Sequence, residues 1–413
     1  MSKKKAVAIA KAFQNCHDLI PGLPSELAIE CLVRVPYQFQ SAMKSVCRSW
    51  RSLLSDSSFI RERRRCGKAE LLLCLVQPLT PPPTPASKAV EESQTFVDEE
   101  GEKKLEDESQ QPRVSGTPRF GLSVYNAAMS TWNHVAFPEQ QQIPLFCECV
   151  VIQDAGKILL IGGWDPETLQ PVKDVYVLEF AGEGSGRRWR RGAPMNESRS
   201  FFACASIGST KVYVAGGHDD QKNALRSAEV YDVEKDEWSM IPPMTEGRDE
   251  CQGFAVGTDL GFCVLSGYGT ESQGRFQSDA EIYDPATNSW SKMEDIWRFP
   301  DTSPRGRTAG DCSSGLRCFT DGELQSERKS ETKDDSRKWN LELEMIQFPM
   351  TGSSIFAGSL GGDAVVMIGG RTESEGKGVM MKTTEKDIGK WSHVQDIPSG
   401  FSTLPFSHAS IYV

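Results

Sequence analysis

Cys147 and Cys149, flanking Glu148, are the closest pair of thiols in the sequence. On a strand, residues i and i+2 share a face, so the two thiols would point the same way. A tetrahedral metal would still need two further ligands, and buried core thiols are the commoner use of such a pair. The five histidines, His17, His134, His218, His393 and His408, never pair at ligand spacing. No GxxxxGK[ST] run is present to make a P-loop, no GxSxG to make a nucleophile elbow, and no HExxH. Gly182-Glu183-Gly184-Ser185-Gly186 has the composition of a phosphate loop. It lies between strand-like runs with no helix after it to aim N–H groups at an anion, so it reads as a flexible turn. The expectation is no catalytic residue, no metal and no cofactor.

Whatever the chain does must therefore rest on surfaces, and the elements that carry them come next. The 413 residues are 38% apolar and 25% charged, enough for a packed core. Nowhere is there an apolar run of about 18 residues, so no spanning helix is expected. MSKKKAVAIAKAF has no long apolar stretch and does not read as a secretory signal. Twelve cysteines without regular spacing read as reduced thiols, which places the protein in the cytoplasm and/or nucleus. The net charge of −11 argues against general nucleic-acid binding. Neither nucleic acid nor membrane is expected as a partner.

The charge is unevenly spread: +8 over residues 1–68, −6 over 69–118 and −13 over 119–413. The three parts differ in pattern as well. An extension (1–17) precedes a helical module (18–66), and short β-like runs fill 69–413. Within the last part, 78–118 opens on a Thr/Pro run and turns acidic, with almost no apolar residues after Val97. It cannot bury enough surface to offset its ordering entropy, so it is expected to be disordered.

In the helical module, Pro24 suits a first helical turn. Leu27, Cys31, Leu32 and Val35 fall at helical spacing, and Pro36 should end that helix. Ala42, Val46, Ser49, Trp50, Leu53 and Leu54 repeat the spacing. So small a module with so much apolar surface should meet a partner. Leu23-Pro24-Ser25-Glu26-Leu27, the run Cys31 to Pro36 and Val46-Cys47-Arg48-Ser49-Trp50 resemble the F-box. That resemblance implies a helical hook that binds an acidic Skp1-type adaptor and, through it, a cullin. The implied adaptor face is Leu23, Pro24, Leu27, Leu32, Val35, Val46, Cys47 and Trp50.

The remainder repeats itself. Trp132, Trp189, Trp238, Trp290, Trp339 and Trp391 recur with gaps of 57, 49, 52, 49 and 52 residues. Tyr125, Tyr231 and Tyr283 each stand seven residues before a Trp. Gly162-Gly163, Gly216-Gly217 and Gly369-Gly370 close apolar runs; the Trp290 unit has Ser266-Gly267 instead, and the Trp339 unit is degenerate. A period of about 50 with these markers is the kelch signature, one four-stranded propeller blade per repeat. The expected fold is an all-β kelch propeller of about six blades with a small all-α F-box in front. Blade one has three strands in place, Ala69–Gln77, Phe120–Asn126 and Thr131–Phe137. Ser407–Val413 is expected to supply its missing inner strand and close the ring, with 78–118 inserted between the second and third strands.

The tandem resembles plant F-box/kelch proteins, in particular the KISS ME DEADLY group, through the runs Arg199 to Ala205, Val212 to Asp219, Lys222 to Leu225 and Arg248 to Cys251. The resemblance implies a non-catalytic substrate receptor of an SCF ubiquitin ligase. It further implies phenylalanine ammonia-lyase and/or type-B response regulators as targets, hence negative regulation of phenylpropanoid synthesis and of cytokinin signalling. Two alternatives stay open: a kelch scaffold without ligase function, and a copper radical enzyme of the galactose-oxidase type. Candidate substrate contacts lie in loops after the second strands and between blades: Trp164, Asp165, Arg199, His218, Asp219, Arg226, Arg248, Tyr268 and Arg371. Arg199 and Arg248 precede first strands at equivalent places, which fits a structural role equally well.

Overall fold

The computed structural model describes residues 19–79, 119–138, 141–180, 188–257, 261–311, 315–320, 343–347, 355–360, 363–368, 378–383 and 390–413. The insertion beyond Leu79, Trp339 and Arg371 lie outside them.

The helical module holds α1 (Ser25–Leu32), a 3-10 turn (Tyr37–Phe39), α2 (Gln40–Val46), α3 (Arg48–Ser55) and α4 (Ser57–Arg65). Two sequence expectations need correction. Helix α1 stops at Leu32 rather than at Pro36, and Pro24 is its N-cap, one residue before the helix. The run from Ala42 to Leu54 is two helices. Cys47 is fully extended between them (φ −158, ψ 168), and its thiol accepts the Trp50 N–H at 3.4 Å, capping α3. The module has its own core of Leu19, Ala28, Ile29, Leu32, Val33, Met43, Leu53, Leu54 and Phe59.

The rest is a propeller. Six sheets are found among the described residues. Blade two runs Glu148–Ile152, Lys157–Ile161, Val175–Glu179 and Arg188–Arg191 from axis to rim. Blade three is Ala203–Ile207, Lys211–Ala215, Ala228–Asp232 and Glu237–Ile241. Blade four is Gln252–Val256, Gly261–Leu265, Ala280–Asp284 and Ser289–Met293. Blade five has three described strands, Thr308–Asp311, Gly315–Thr320 and Leu343–Gln347, the last pair parallel. The degenerate repeat is thus also an irregular blade. Blade six is Ile355–Leu360, Asp363–Ile368, Gly378–Thr383 and Ser392–Ile397.

Blade one is completed from the far end of the chain. Ser407–Tyr412 pairs antiparallel with Leu71–Pro78, which pairs with Phe120–Asn126 and then Thr131–Val135. The innermost strands touch in sequence around the axis, and Ser407–Tyr412 lies between those of blades six and two. Closing the ring this way packs each described inner strand between two neighbours around the axis.

The repeat markers have physical roles. Tyr231 and Trp238 face each other across one strand pair, as do Tyr283 with Trp290 and Tyr125 with Trp132. Three outer-strand indoles reach back to the previous blade. Trp189 Nε1 donates to Ala136 O at 2.9 Å, Trp238 to Ala193 O at 2.9 Å and Trp290 to Pro242 O at 2.6 Å. In the two described pairs the second glycine meets the loop entering the inner strand of its own blade. A Cβ on Gly163 would sit 2.3 Å from Leu145 O, and one on Gly217 2.3 Å from Ser200 O, both at positive φ. No other residue fits there.

His408 on the closing strand accepts the Ser359 N–H at 3.0 Å, and burial lowers it to about 4. An unfolded imidazole takes up its proton near 6.5, well before the folded one does. Stability is therefore complete above about pH 6.5 and is lost as pH falls towards 4, by about 3 kcal/mol in all. Between pH 7 and 5 the wild type should lose about 2 kcal/mol more than His408→Gln, read from paired denaturant melts. Parallel losses in the two proteins would remove His408 from the acid sensitivity.

Candidate functional site

Two surfaces stand out, and the first is on the helical module. Leu27 (49% exposed), Phe39 (50%) and Val46 (63%) are large apolar side chains left open to solvent. Pro24, Cys31 and Cys47 are exposed with them. The expected adaptor face is thus divided. Pro24, Leu27, Val46 and Cys47 are available. Leu32 is 2% exposed and belongs to the module's own core, because α1 turns Ala28, Ile29 and Leu32 inward and leaves Leu27 and Cys31 on the other side. Leu23, Val35 and Trp50 pack partly against that core, and the Trp50 indole donates to Leu19 O at 2.6 Å. Those four support the surface from beneath. Phe39 escaped the sequence reading because its 3-10 turn has no helical period to reveal a face.

The second surface is the mouth of the propeller, where loops after second strands meet loops entering inner strands. Phe146, Phe201 and Glu250 each stand two residues before an inner strand, in blades two, three and four. All three are left-handed, with φ of 57, 56 and 50. Isolated bridges hold the residue before each one: Leu145 to Trp164, Ser200 to His218 and Asp249 to Tyr268. A bulky side chain in this region costs about 1–2 kcal/mol. The glycine pairs pressing on Leu145 O and Ser200 O hold the strained turns in place.

The strain aims rings at the axis. Phe146 lies 5.0 Å from Phe201 and 5.2 Å from Phe406, and Phe201 lies 5.3 Å from Phe406, centroid to centroid. Trp164 flanks them at 5.4 Å from Phe146, edge to face. All four rings keep partial exposure. Beneath them, Arg305 from the loop into blade five crosses the axis. Its guanidinium pairs with Glu148 of blade two and donates to Phe202 O at 3.0 Å and Cys251 O at 2.7 Å. The guanidinium lies 4.7 Å from the Phe406 ring centroid. Burial pushes the Glu148 carboxyl up from its ordinary value, against the pull of Arg305. Glu148 therefore anchors a buried cation across the ring rather than serving a metal with Cys147 and Cys149.

His218 is buried and its ring is fully committed. Nδ1 donates to Asp249 at 2.9 Å, and Nε2 accepts the Trp164 indole N–H at 3.2 Å. That network assigns the tautomer and leaves no lone pair open for base chemistry. Tyr268 is 6% exposed and donates to Glu250 at 3.1 Å. Asp165 and Asp219 accept N–H groups within their own loops, which holds both carboxyls below their usual range. Arg226 is exposed. Arg199 and Arg248 are corrected: both are 0% exposed. Arg199 pairs with Glu229 at 3.0 Å and donates to Gly216 O at 2.8 Å; Arg248 pairs with Asp279 at 2.7 Å and Glu281 at 3.1 Å. They brace blades three and four and cannot reach a ligand. The Phe ring cluster and Arg305 were absent from the sequence reading. Aligning the repeats on their inner strands, two residues upstream, would have shown Phe146 and Phe201 in register.

Among the described residues, no group of three or more His, Cys, Asp or Glu is placed to hold a metal ion. No helix there is long and apolar enough to cross a membrane.

A helical hook with open apolar side chains, fixed to a six-bladed ring, defines a receptor of the F-box class with a kelch propeller. Comparisons with known proteins agree: the F-box domain matches residues 20–62 and the kelch motif residues 198–245. An F-box/kelch-repeat protein of Arabidopsis thaliana is 77% identical over 419 residues, covering 100% of this chain and 99% of its own. The Arabidopsis F-box/kelch-repeat protein SKIP20 is 65% identical, covering 100% of both. A third Arabidopsis F-box/kelch-repeat protein is 35% identical over 74% of this chain and 76% of its own. The chain belongs to the plant F-box/kelch-repeat proteins. Its F-box carries Skp1 and cullin binding, and its general role is substrate recognition in an SCF ubiquitin ligase.

Proposed function

We propose that the propeller mouth captures the target proteins, that these are phenylalanine ammonia-lyase and/or type-B response regulators, and that capture takes place in the cytoplasm and/or nucleus. On this reading the chain restrains phenylpropanoid synthesis or cytokinin signalling by promoting degradation. It performs no bond chemistry; it raises the effective concentration of a target lysine near charged ubiquitin. The observation that supports the reading best is that each module closes its own core yet leaves large apolar side chains open, Leu27, Phe39 and Val46 on one and the ring cluster on the other.

The test is a reconstituted ubiquitination assay with Skp1, cullin and either candidate target. Leu27→Asp with Val46→Asp should weaken adaptor capture by about 100-fold or more, since each side chain would bury about 1.5–3 kcal/mol at the interface. Both are exposed, so the propeller should melt as before. Adaptor capture at wild-type strength would overturn the assigned face, and absence of ubiquitin on both targets with an intact complex would overturn their assignment.

A further inference from the structure

We infer that the propeller mouth recognises an extended acidic segment in which an aromatic or large aliphatic side chain stands within a residue or two of a carboxylate. The inference rests on the receptor reading above and adds the chemistry of what is received. The apolar side chain would settle on the rings of Phe146, Phe201 and Phe406, and the carboxylate would meet Lys222.

Three observations converge. The three rings come from three successive blades and lie mutually 5.0–5.3 Å apart, forming one partly exposed apolar platform over the axis. Exposed aromatic platforms of this kind are where anchoring side chains bind.

The cation–π positions are already taken by the protein's own cations. Lys222 Nζ sits 3.7 Å above the Trp164 ring, and Arg305 lies against Phe406. A cationic guest would meet like charge there, which disfavours it.

Four carboxylates at the mouth are engaged, and none of them pairs directly with Lys222. Asp249 holds His218, Glu250 accepts from Tyr268, and Asp165 and Asp219 accept from their own loops. Among the described residues no carboxylate stands within 4.0 Å of Lys222; its polar neighbour is His218 Nε2 at 3.3 Å, a nitrogen the Trp164 indole also addresses. Burial lowers the ammonium's pKa, so an arriving carboxylate would restore what desolvation removes.

The probe is a phage-displayed library of random twelve-residue peptides, panned against the purified full chain bound to Skp1. Wild type should enrich segments pairing Phe, Tyr, Trp or Leu with a neighbouring Asp or Glu. Lys222→Glu, a change at an exposed side chain, should lose those peptides at least ten-fold and select basic ones instead. Phe146→Gly with Phe201→Gly accepts the same backbone angles and removes the rings; it should lose enrichment while adaptor capture persists. Enrichment indifferent to acidic residues, an unchanged selection by Lys222→Glu, or no enrichment on wild type would each overturn the inference. The same variants in the ubiquitination assay separate the two readings. Targets modified as before by the mouth variants would sink this inference and leave the receptor role standing. A wild-type complex that modifies neither target would sink the target assignment, whatever the peptides show.

Discussion

Removal of Ser407–Val413 is expected to abolish the folded ring. The segment pairs residue by residue with Leu71–Val76 and lies beside the inner strands of blades two and six. Ile411 and Val413 are 0% and 1% exposed, and Ala409 is 7% exposed. Ser407 Oγ donates to Cys147 O at 2.7 Å on one side, and Ser410 Oγ donates to Ser359 O at 2.6 Å on the other. Burying Ile and Val side chains contributes about 1.5–3 kcal/mol each. The exposed inner edge adds unpaired backbone groups and a template for aggregation. Against a total of about 5–15 kcal/mol the loss is of the same size as the stability itself. The truncated chain should be recovered as aggregate, and a synthetic peptide of residues 405–413 added during refolding should rescue soluble protein. A truncated chain melting within about 2 °C of wild type would show that the strand contributes nothing to closure.

That closure could be read from sequence because it follows from counting. A blade short of its first strand at one end and an alternating apolar run at the other leave one arrangement that removes both edges. The glycine pairs and Tyr–Trp spacings were legible for the same reason, since each repeats a local constraint. What stayed hidden was non-local or unsigned. Arg305 meets Glu148 across 157 positions, and no local pattern ties a loop of blade five to a strand of blade two. The spacing of Leu27, Cys31, Leu32 and Val35 announces an apolar helix, but it does not say that Leu32 faces the module's core and Leu27 the solvent. For Arg199 and Arg248 the order of repeats placed both before inner strands. Only the buried Glu229, Asp279 and Glu281 show what they serve there.

Arg63→Met should both destabilise the protein and uncouple its two functions. Arg63 lies on α4 and is 1% exposed. It donates to Val33 O at 2.8 Å and Val35 O at 2.5 Å in the F-box, and to Val413 O at 3.1 Å on the ring-closing strand. It also pairs with Glu70 at 3.3 Å. Glu70 in turn accepts the Tyr37 N–H at 2.5 Å and the Asn126 side-chain N–H at 2.8 Å. One guanidinium thus ties the adaptor-binding hook to the last residues of the propeller. Removing one partner of a buried pair costs about 3–5 kcal/mol, because the other charge stays buried without compensation. Arg63→Met with Glu70→Gln should therefore lose less than Arg63→Met alone. The functional consequence follows from geometry. A ligase depends on holding the target lysine at a fixed reach from the ubiquitin carrier, and a hook free to swivel lowers that effective concentration. At a temperature where the variant is folded, adaptor capture and target capture should persist while the ubiquitination rate falls. Equal rates with a lowered melting temperature would reduce Arg63 to a stabilising contact and leave the orientation of the F-box to other residues.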